Sequence, residues 1–432
     1  MNITKAKIIC FFLVLLGGTN IINSAQEAHG QKIVELQSDP NVKQLKPLMH
    51  KGKPFFPIGA YGQTRLRFPT STGSLPFLPL AILREQGWNT VLQHVSDDTT
   101  DKTFLINADS AGFAVILSMH NLVAAQKHDE VAKKVSALKD YPAVLGYYIF
   151  DEPENVYSAS EEYKHSLHTS SLGLGKFIID KLGWVKPLIR RLDPDKEHYV
   201  FMCIAWWYSY RDLASLCEIN MPNHYPTENT SAEFEGPQSN IVYDAKLAAE
   251  AAFASGGLGF CYTPGARNIL PEGSKYRPPT INEFRYSVFA PITQGAMGII
   301  YWAGYLCKPP YTEEVVFPVT RQLSELTPFF LGKWLDEKLQ CEPSQSSTPL
   351  LKKLNLPTVS GCLRESDNGK YLLLAVNNRA EVTLATFRVN IERLPSQARD
   401  FITGRLVPII GGEIKDLMGP YGVHAYIIEQ AE

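Results

Sequence analysis

The stretch VLGYYIFDEPE, Val144 to Glu154, runs through seven apolar, glycine or aromatic residues and then delivers Asp151, Glu152, Pro153 and Glu154 in succession. A short run of this composition, closed by a turn residue, reads as a buried strand. A strand that ends in three carboxylates around a proline is placing charge at one defined point of the fold.

The same rhythm extends outward on both sides. Strands are expected at PFFPIGAY (54–61), WNTVLQHV (88–95), FAVILSMH (113–120), VLGYYIF (144–150), YVFMCIAW (199–206), EINMPNHY (218–225), GLGFCY (257–262) and GIIYWAG (298–304). Between them, LPLAILREQG, DEVAKKVSALKD, KFIIDKLGWVKPLIRRLD and NEFRYSVFAPITQGA place apolar residues at three-to-four spacing, the period of an amphipathic helix. Eight alternating strands and helices predict a (β/α)8 TIM barrel over residues 26–340. The rival, an open doubly wound sheet, calls for a glycine-rich phosphate loop after the first strand, and none follows it.

The pattern changes after VTRQLSELTPFFLGKWLDEKL, expected to be the last barrel helix. VSGCLRES, KYLLLAVN, ATFRVNIE and HAYIIE are strand-like and separated by the turn signals SDNGK, NNRA and IGGE. They predict a small antiparallel β-sandwich, residues 341–432, that packs against the barrel.

Lys5 and Lys7 precede the apolar run IICFFLVLLGG, and TNIINSAQEA follows with small and polar residues. That order is expected of a secretory signal peptide, residues 1–25, and so of a secreted or periplasmic protein. No later segment reaches about 18 uninterrupted apolar residues, so no membrane anchor is expected in the mature chain. With 20% charged residues and a net charge of −2, the chain lacks the basic footprint of a nucleic-acid binder. Aromatic residues make up 11%, which suits either stacking on flat ligand faces or a large core. Cys203, Cys217, Cys261, Cys307, Cys341 and Cys362 form no CxxC pair and have no histidine at metal-ligand spacing. Neither a metal, a cofactor nor a dense disulfide scaffold is expected.

Active sites of (β/α)8 barrels lie at the C-terminal ends of the strands, where Asp151 and Glu152 fall. A carboxyl partly desolvated among aromatics favours its protonated form, which suits it to donate a proton to a leaving oxygen. Glu152 is the expected general acid. The local alternative is helix capping by Asp151 and Glu154, with Pro153 in the first turn. The two readings are compatible.

YPAVLGYYIFDEPE resembles the fourth-strand motif of clan-A barrel glycoside hydrolases, in which a strand ends in Asn-Glu-Pro or a variant and its Glu is the acid/base. GKPFFPIGAYG resembles the first strand of that group, INMPNHYP the sixth, and APITQGAMGIIYWAGY the seventh helix and eighth strand. The tail GKYLLLAVNNRAEVTLATFRV to YGVHAYIIE resembles the accessory β-sandwich that often closes such enzymes. The resemblance implies Glu152 as acid/base, Asp151 in the place of a sugar-contacting Asn, and Trp302 as an aromatic floor for the sugar ring.

The nucleophile departs from the family pattern. It should be a Glu ending strand seven, yet no Asp or Glu occurs from Phe253 through Pro271. Retaining hydrolysis needs two carboxyl groups about 5 Å apart, and inverting hydrolysis roughly 6.5–9.5 Å apart. Glu272, in the following loop, is the nearest candidate, and its plain reading is a solvated loop acid. Asp97 and Asp98 are further candidates, or turn and cap residues. Cys261 and Tyr262 are either unusual nucleophiles or buried residues. Tyr61, His94, His120, Asn121, Trp206, Asn223, His224, Tyr225 and Tyr262 fall at or just beyond C-terminal strand ends, where sugar-binding donors and stacking rings belong. Two functions follow: an exported glycoside hydrolase acting on an oligo- or polysaccharide, or a carbohydrate-binding pseudoenzyme on the same barrel.

Overall fold

The computed structural model describes residues 46–62, 80–170, 173–225, 238–266, 268, 277–302, 307, 309–345 and 348–429. Its first sheet has eight parallel strands: β1 (Ile58–Gly62), β2 (Thr90–His94), β3 (Ala114–Ser118), β4 (Val144–Asp151), β5 (Tyr199–Cys203), β6 (Ile219–Asn220), β7 (Gly259–Phe260) and β8 (Ile299–Tyr301). From β1 through β7 consecutive strands pair, and β8 pairs back onto β1. Single bridges Tyr262 to Ile299 and Gly265 to Trp302 join the β7 and β8 sides, so the sheet closes into a barrel. Its interior is filled by Leu92, Ile116, Leu145, Tyr148, Phe201, Ile219, Cys261 and Ile300. Burying an aliphatic or aromatic side chain of this kind contributes about 1.5–3 kcal/mol.

The expected first strand is in fact two elements. Lys53–Phe55 turns back on Leu48–His50 as a hairpin, and the barrel strand starts only after Pro57. Pro57 has no N–H to continue a ladder. The hairpin adds Leu48 and Phe55 to the barrel interior and donates the Met49 N–H to the Tyr199 hydroxyl at 2.7 Å. The helix expected over 176–193 is likewise two, Leu174–Leu182 and Val185–Leu192, divided at Gly183.

β4 carries two register shifts. The first falls beside Gly146, where a Cβ would lie 2.0 Å from the Tyr199 carbonyl oxygen, so only glycine fits. The second falls between Tyr148 and Asp151. Ile149 and Phe150 both join the layer between barrel and helices, while Tyr148 points inward. One extra residue in a strand flips everything after it to the other face. Asp151, not Phe150, therefore continues the inward row.

The last barrel helix is shorter than expected, Phe317–Phe330, and the chain enters the second sheet directly after it. That sheet comprises β9 (Lys333–Trp334), β10 (Leu339–Glu342), β11 (Val359–Glu365), β12 (Tyr371–Asn377), β13 (Thr383–Val389), β14 (Gln397–Asp400), β15 (Leu406–Ile410), β16 (Glu413–Met418) and β17 (Val423–Ile428). Its order is β9-β11-β12-β17-β14-β15-β16-β13-β10, all antiparallel. β15 pairs with β14 at one end and β16 at the other, folding the sheet so that Leu363, Leu373 and Tyr426 meet Phe387, Ile414 and Met418 in one core. The outer face of β12 and β17 packs on the barrel helices, where the Tyr286 hydroxyl donates to Asn378 Oδ1 at 2.7 Å.

The six cysteines named above are all free thiols, five of them buried. Among the described residues no helix is long and apolar enough to cross a membrane, and no cluster of three or more His, Cys, Asp or Glu could hold a metal ion.

Candidate active site

Asp151 ends β4 on the inner face, where its Oδ1 accepts from the Tyr148 hydroxyl at 2.7 Å and the Tyr61 hydroxyl at 3.1 Å. The two tyrosine rings meet edge to face at 5.4 Å. The Asp151 N–H donates to His120 Nδ1 at 3.1 Å, which makes that nitrogen the unprotonated one. Burial pushes His120 down to about 4, so its ring is neutral. His94 is also lowered, by burial and then by His120 nearby.

Glu152 follows with φ 49° and ψ 61°, a left-handed conformation rare outside glycine. It is the N-cap of the helix Pro153–Ser158 through its backbone alone, with proline at the first position and no side-chain cap bond. The expected capping role of Asp151 and Glu154 is therefore not what their side chains do. Glu152 Oε2 accepts from Asn155 Nδ2 at 2.6 Å, and Oε1 accepts from Asn223 Nδ2. Asn223 Nδ2 also donates to the Tyr225 hydroxyl at 3.1 Å. Tyr225 stacks on Trp302 with centroids 5.1 Å apart and planes 28° from parallel. A carboxyl group, two amides and a stacked aromatic pair from just beyond the ends of β4, β6 and β8 thus converge at the C-terminal mouth.

Glu154 turns away from the mouth and is completely buried. Its Oε1 accepts the Trp206 N–H at 3.1 Å, while Oε2 has no partner among the described residues. Desolvation pushes its carboxyl up to about 8. Glu152 is raised by burial and then by the charge of Asp151, against the opposing pull of the Asn223 and Asn155 donors. Asp151 is raised by burial despite its tyrosine donors. Among the described residues no lysine or arginine forms an ion pair with any of the three.

Other candidates fall elsewhere. Asp97 caps the helix Asp98–Ser110, accepting from the Thr100 N–H at 2.9 Å, and Asp98 pairs with Lys134 at 2.6 Å. Both do structural work on the rim of a helix. Cys261 is fully buried in the barrel interior, and Tyr262 in the layer outside it, so neither side chain opens on the mouth. His224 Nδ1 lies 3.5 Å from Asp244 Oδ2 on the helix Gln238–Ala254. Asn121 is exposed on the short helix His120–Ala124. The Trp206 indole N–H donates to Asn155 Oδ1 at 2.8 Å and so orients the amide that holds Glu152. Glu272 lies outside the described residues.

Sequence reasoning missed Asn155 and Asp244. Asn155 was detectable, because a residue three after Glu152 shares its helix face. Asp244 carried no local signal, since its burial comes from packing against the β6 and β7 ends.

No family model matches the sequence, and no curated protein matches it. Similar solved structures exist. A cold-adapted β-galactosidase from Rahnella sp. R3 superposes with TM-score 0.54 at 10% identity, covering 90% of this chain and 100% of that one. A putative α-galactosidase/melibiase from Bacteroides fragilis gives 0.53 at 11%, over 86% and 79% of the two chains. Amy13B of Eubacterium rectale gives 0.52 at 10%, over 90% and 97%. At such identities the likeness is one of fold. The chain has the barrel and C-terminal β-domain architecture found in glycoside hydrolases.

Proposed function

We propose that the protein is a glycoside hydrolase that cleaves an O-glycosidic bond in an oligo- or polysaccharide, with Glu152 as general acid/base. The observation that carries this reading is the state of Glu152: a carboxyl at the barrel mouth, raised by burial and by Asp151, and held at both oxygens by amides. A raised carboxyl holds its proton more readily than an exposed one, and in the proposed reaction it passes that proton to the departing oxygen. The resulting carboxylate then withdraws a proton from water. The Asn155 and Asn223 amides fix its direction, and the Tyr225 and Trp302 rings offer a face for the sugar. Asp151 is the proposed hydroxyl contact and Glu272 the proposed second carboxylate. Residues 1–25 are proposed to direct export.

Activity of the purified mature protein against a panel of glycans and aryl glycosides, run beside Glu152→Gln, tests this. Cleavage by the wild type that disappears in the variant is the expected result. Binding without cleavage by either protein would leave the pseudoenzyme, a reading favoured by the absence of an acid at the end of β7 (Cys261, Tyr262, Thr263).

A further inference from the structure

The loop after β5 reads AWWYSY, Ala205 to Tyr210, and it displays aromatic rings that the core does not use. Trp207 and Tyr208 are 42% and 41% exposed. Among the described residues the other exposed large hydrophobic side chains are aliphatic except Phe253, and single exposed side chains need no explanation. Trp207 and Tyr208 differ in being adjacent, and in being tied to the candidate site.

The tie is a chain of contacts. Asn155 holds Glu152 and accepts the Trp206 indole N–H, and Glu154 accepts the Trp206 backbone N–H. Tyr208 lies 5.3 Å from the Trp206 ring, and Trp207 lies 5.5 Å from Tyr208 at 84°. Tyr243, on the helix Gln238–Ala254, ends the strip 5.7 Å from Trp207. Two partly buried hydrogen bonds and a supporting ring therefore hold the exposed pair beside the acid. Rigid rings of this kind offer contact area at little entropic cost, and a Tyr or Trp presents both an apolar face and a polar edge. A pyranose ring has the matching shape, with a C–H face and a rim of hydroxyls. An extended aliphatic or protein partner would need a wider apolar patch.

We propose that Trp207 and Tyr208 form a second sugar platform, distinct from the Tyr225 and Trp302 pair, that takes another ring of the same oligosaccharide. The inference rests on the reading of the mouth as a saccharide site. It makes the ligand a chain long enough to reach from Glu152 to the β5 loop.

Isothermal titration of Glu152→Gln with malto-, cello-, xylo- and galacto-oligosaccharides of increasing length tests it. Affinity for at least one series is expected to rise with length. In the double variants carrying Trp207→Ala or Tyr208→Ala, the longest member should bind roughly five- to tenfold more weakly, and the gain with length should vanish. Trp207→Phe, which restores a ring face, should recover most of it. Both rings are exposed, so an unchanged melting temperature will verify that the fold is intact. A gain with length that survives both alanine variants overturns the platform while leaving the hydrolase reading standing. Failure of the wild type to bind or cleave any saccharide overturns both together.

Discussion

Two neighbouring tyrosines of β4 each donate to an acid withdrawn from solvent, Asp193 buried and Asp151 partly so, with opposite results. Tyr147, facing outward, donates to Asp193 at 2.5 Å; Tyr148, facing inward, donates to Asp151 at 2.7 Å. Burial works to raise both carboxyls. At Asp193 it is outweighed by His198 Nδ1 at 2.8 Å, by Tyr147 and by the Asp195 N–H, and the acid stays below its usual value. At Asp151 two phenols are too few, and the acid is raised. Asp400 in the β-domain behaves like Asp193, since His424, Thr403 and the Ala425 N–H overcome its burial. Acids that hold structure are given donors enough to stay ionised. Those at the barrel mouth are raised instead, because burial outweighs the donors they have, and a raised carboxyl is better suited to carry a proton in chemistry.

The largest effect that could break this contrast is at Glu152. Glu152→Gln should lower kcat/KM by roughly a hundred- to ten-thousandfold with the melting temperature little changed, measured on any glycoside the wild type cleaves. A variant that remains active would place the proton elsewhere. Asp193→Ala should do the reverse, costing about 3 kcal/mol of stability by stranding Tyr147 and His198, with kcat/KM per folded molecule preserved. Chemical denaturation beside kinetics separates the two.

Glu154 sharpens the contrast through pH. Its carboxyl lies at about 8 folded against 4.5 as its ordinary value, so the folded protein holds a proton that the unfolded chain releases. Stability from this group is complete at low pH and is lost as pH rises from about 4.5 to 8. Glu154→Gln should flatten that slope, by on the order of a few kcal/mol across the window, in melting curves collected at several pH values. The smallest effect is expected at Asp151. Removing its charge with Asp151→Asn should lower the Glu152 carboxyl, because Asp151 is one of the causes that raise it. The alkaline limb of the pH–rate profile should then move to lower pH. An unmoved limb would mean that burial alone sets Glu152.

Much of this was legible in one dimension, because alternation and length are local properties. All eight barrel strands lie at or within one residue of their expected stretches, and Asp151 and Glu152 fall where a barrel puts its active site. Less legible were ends and faces. β6 and β7 pair over only two residues each, although their apolar runs are longer, because pairing depends on the neighbouring strand. Strands β9, β10, β14, β15 and β16 escaped notice; in β15 and β16 solvent-exposed apolar residues such as Leu406, Ile410 and Leu417 blur the alternation.

The sequence by itself determined the barrel, the β-domain and the presence of acids at the end of the fourth strand, since these follow from hydrophobic period and chain order. Only the tertiary structure decided what each acid does. A one-residue bulge sets Asp151 inward against Tyr61 and Tyr148, a left-handed backbone carries Glu152 to Asn223 in the loop after β6, and the next turn buries Glu154 under Trp206. Burial and donor supply, which fix where a proton resides, come from residues distant in the chain, and no local pattern encodes them.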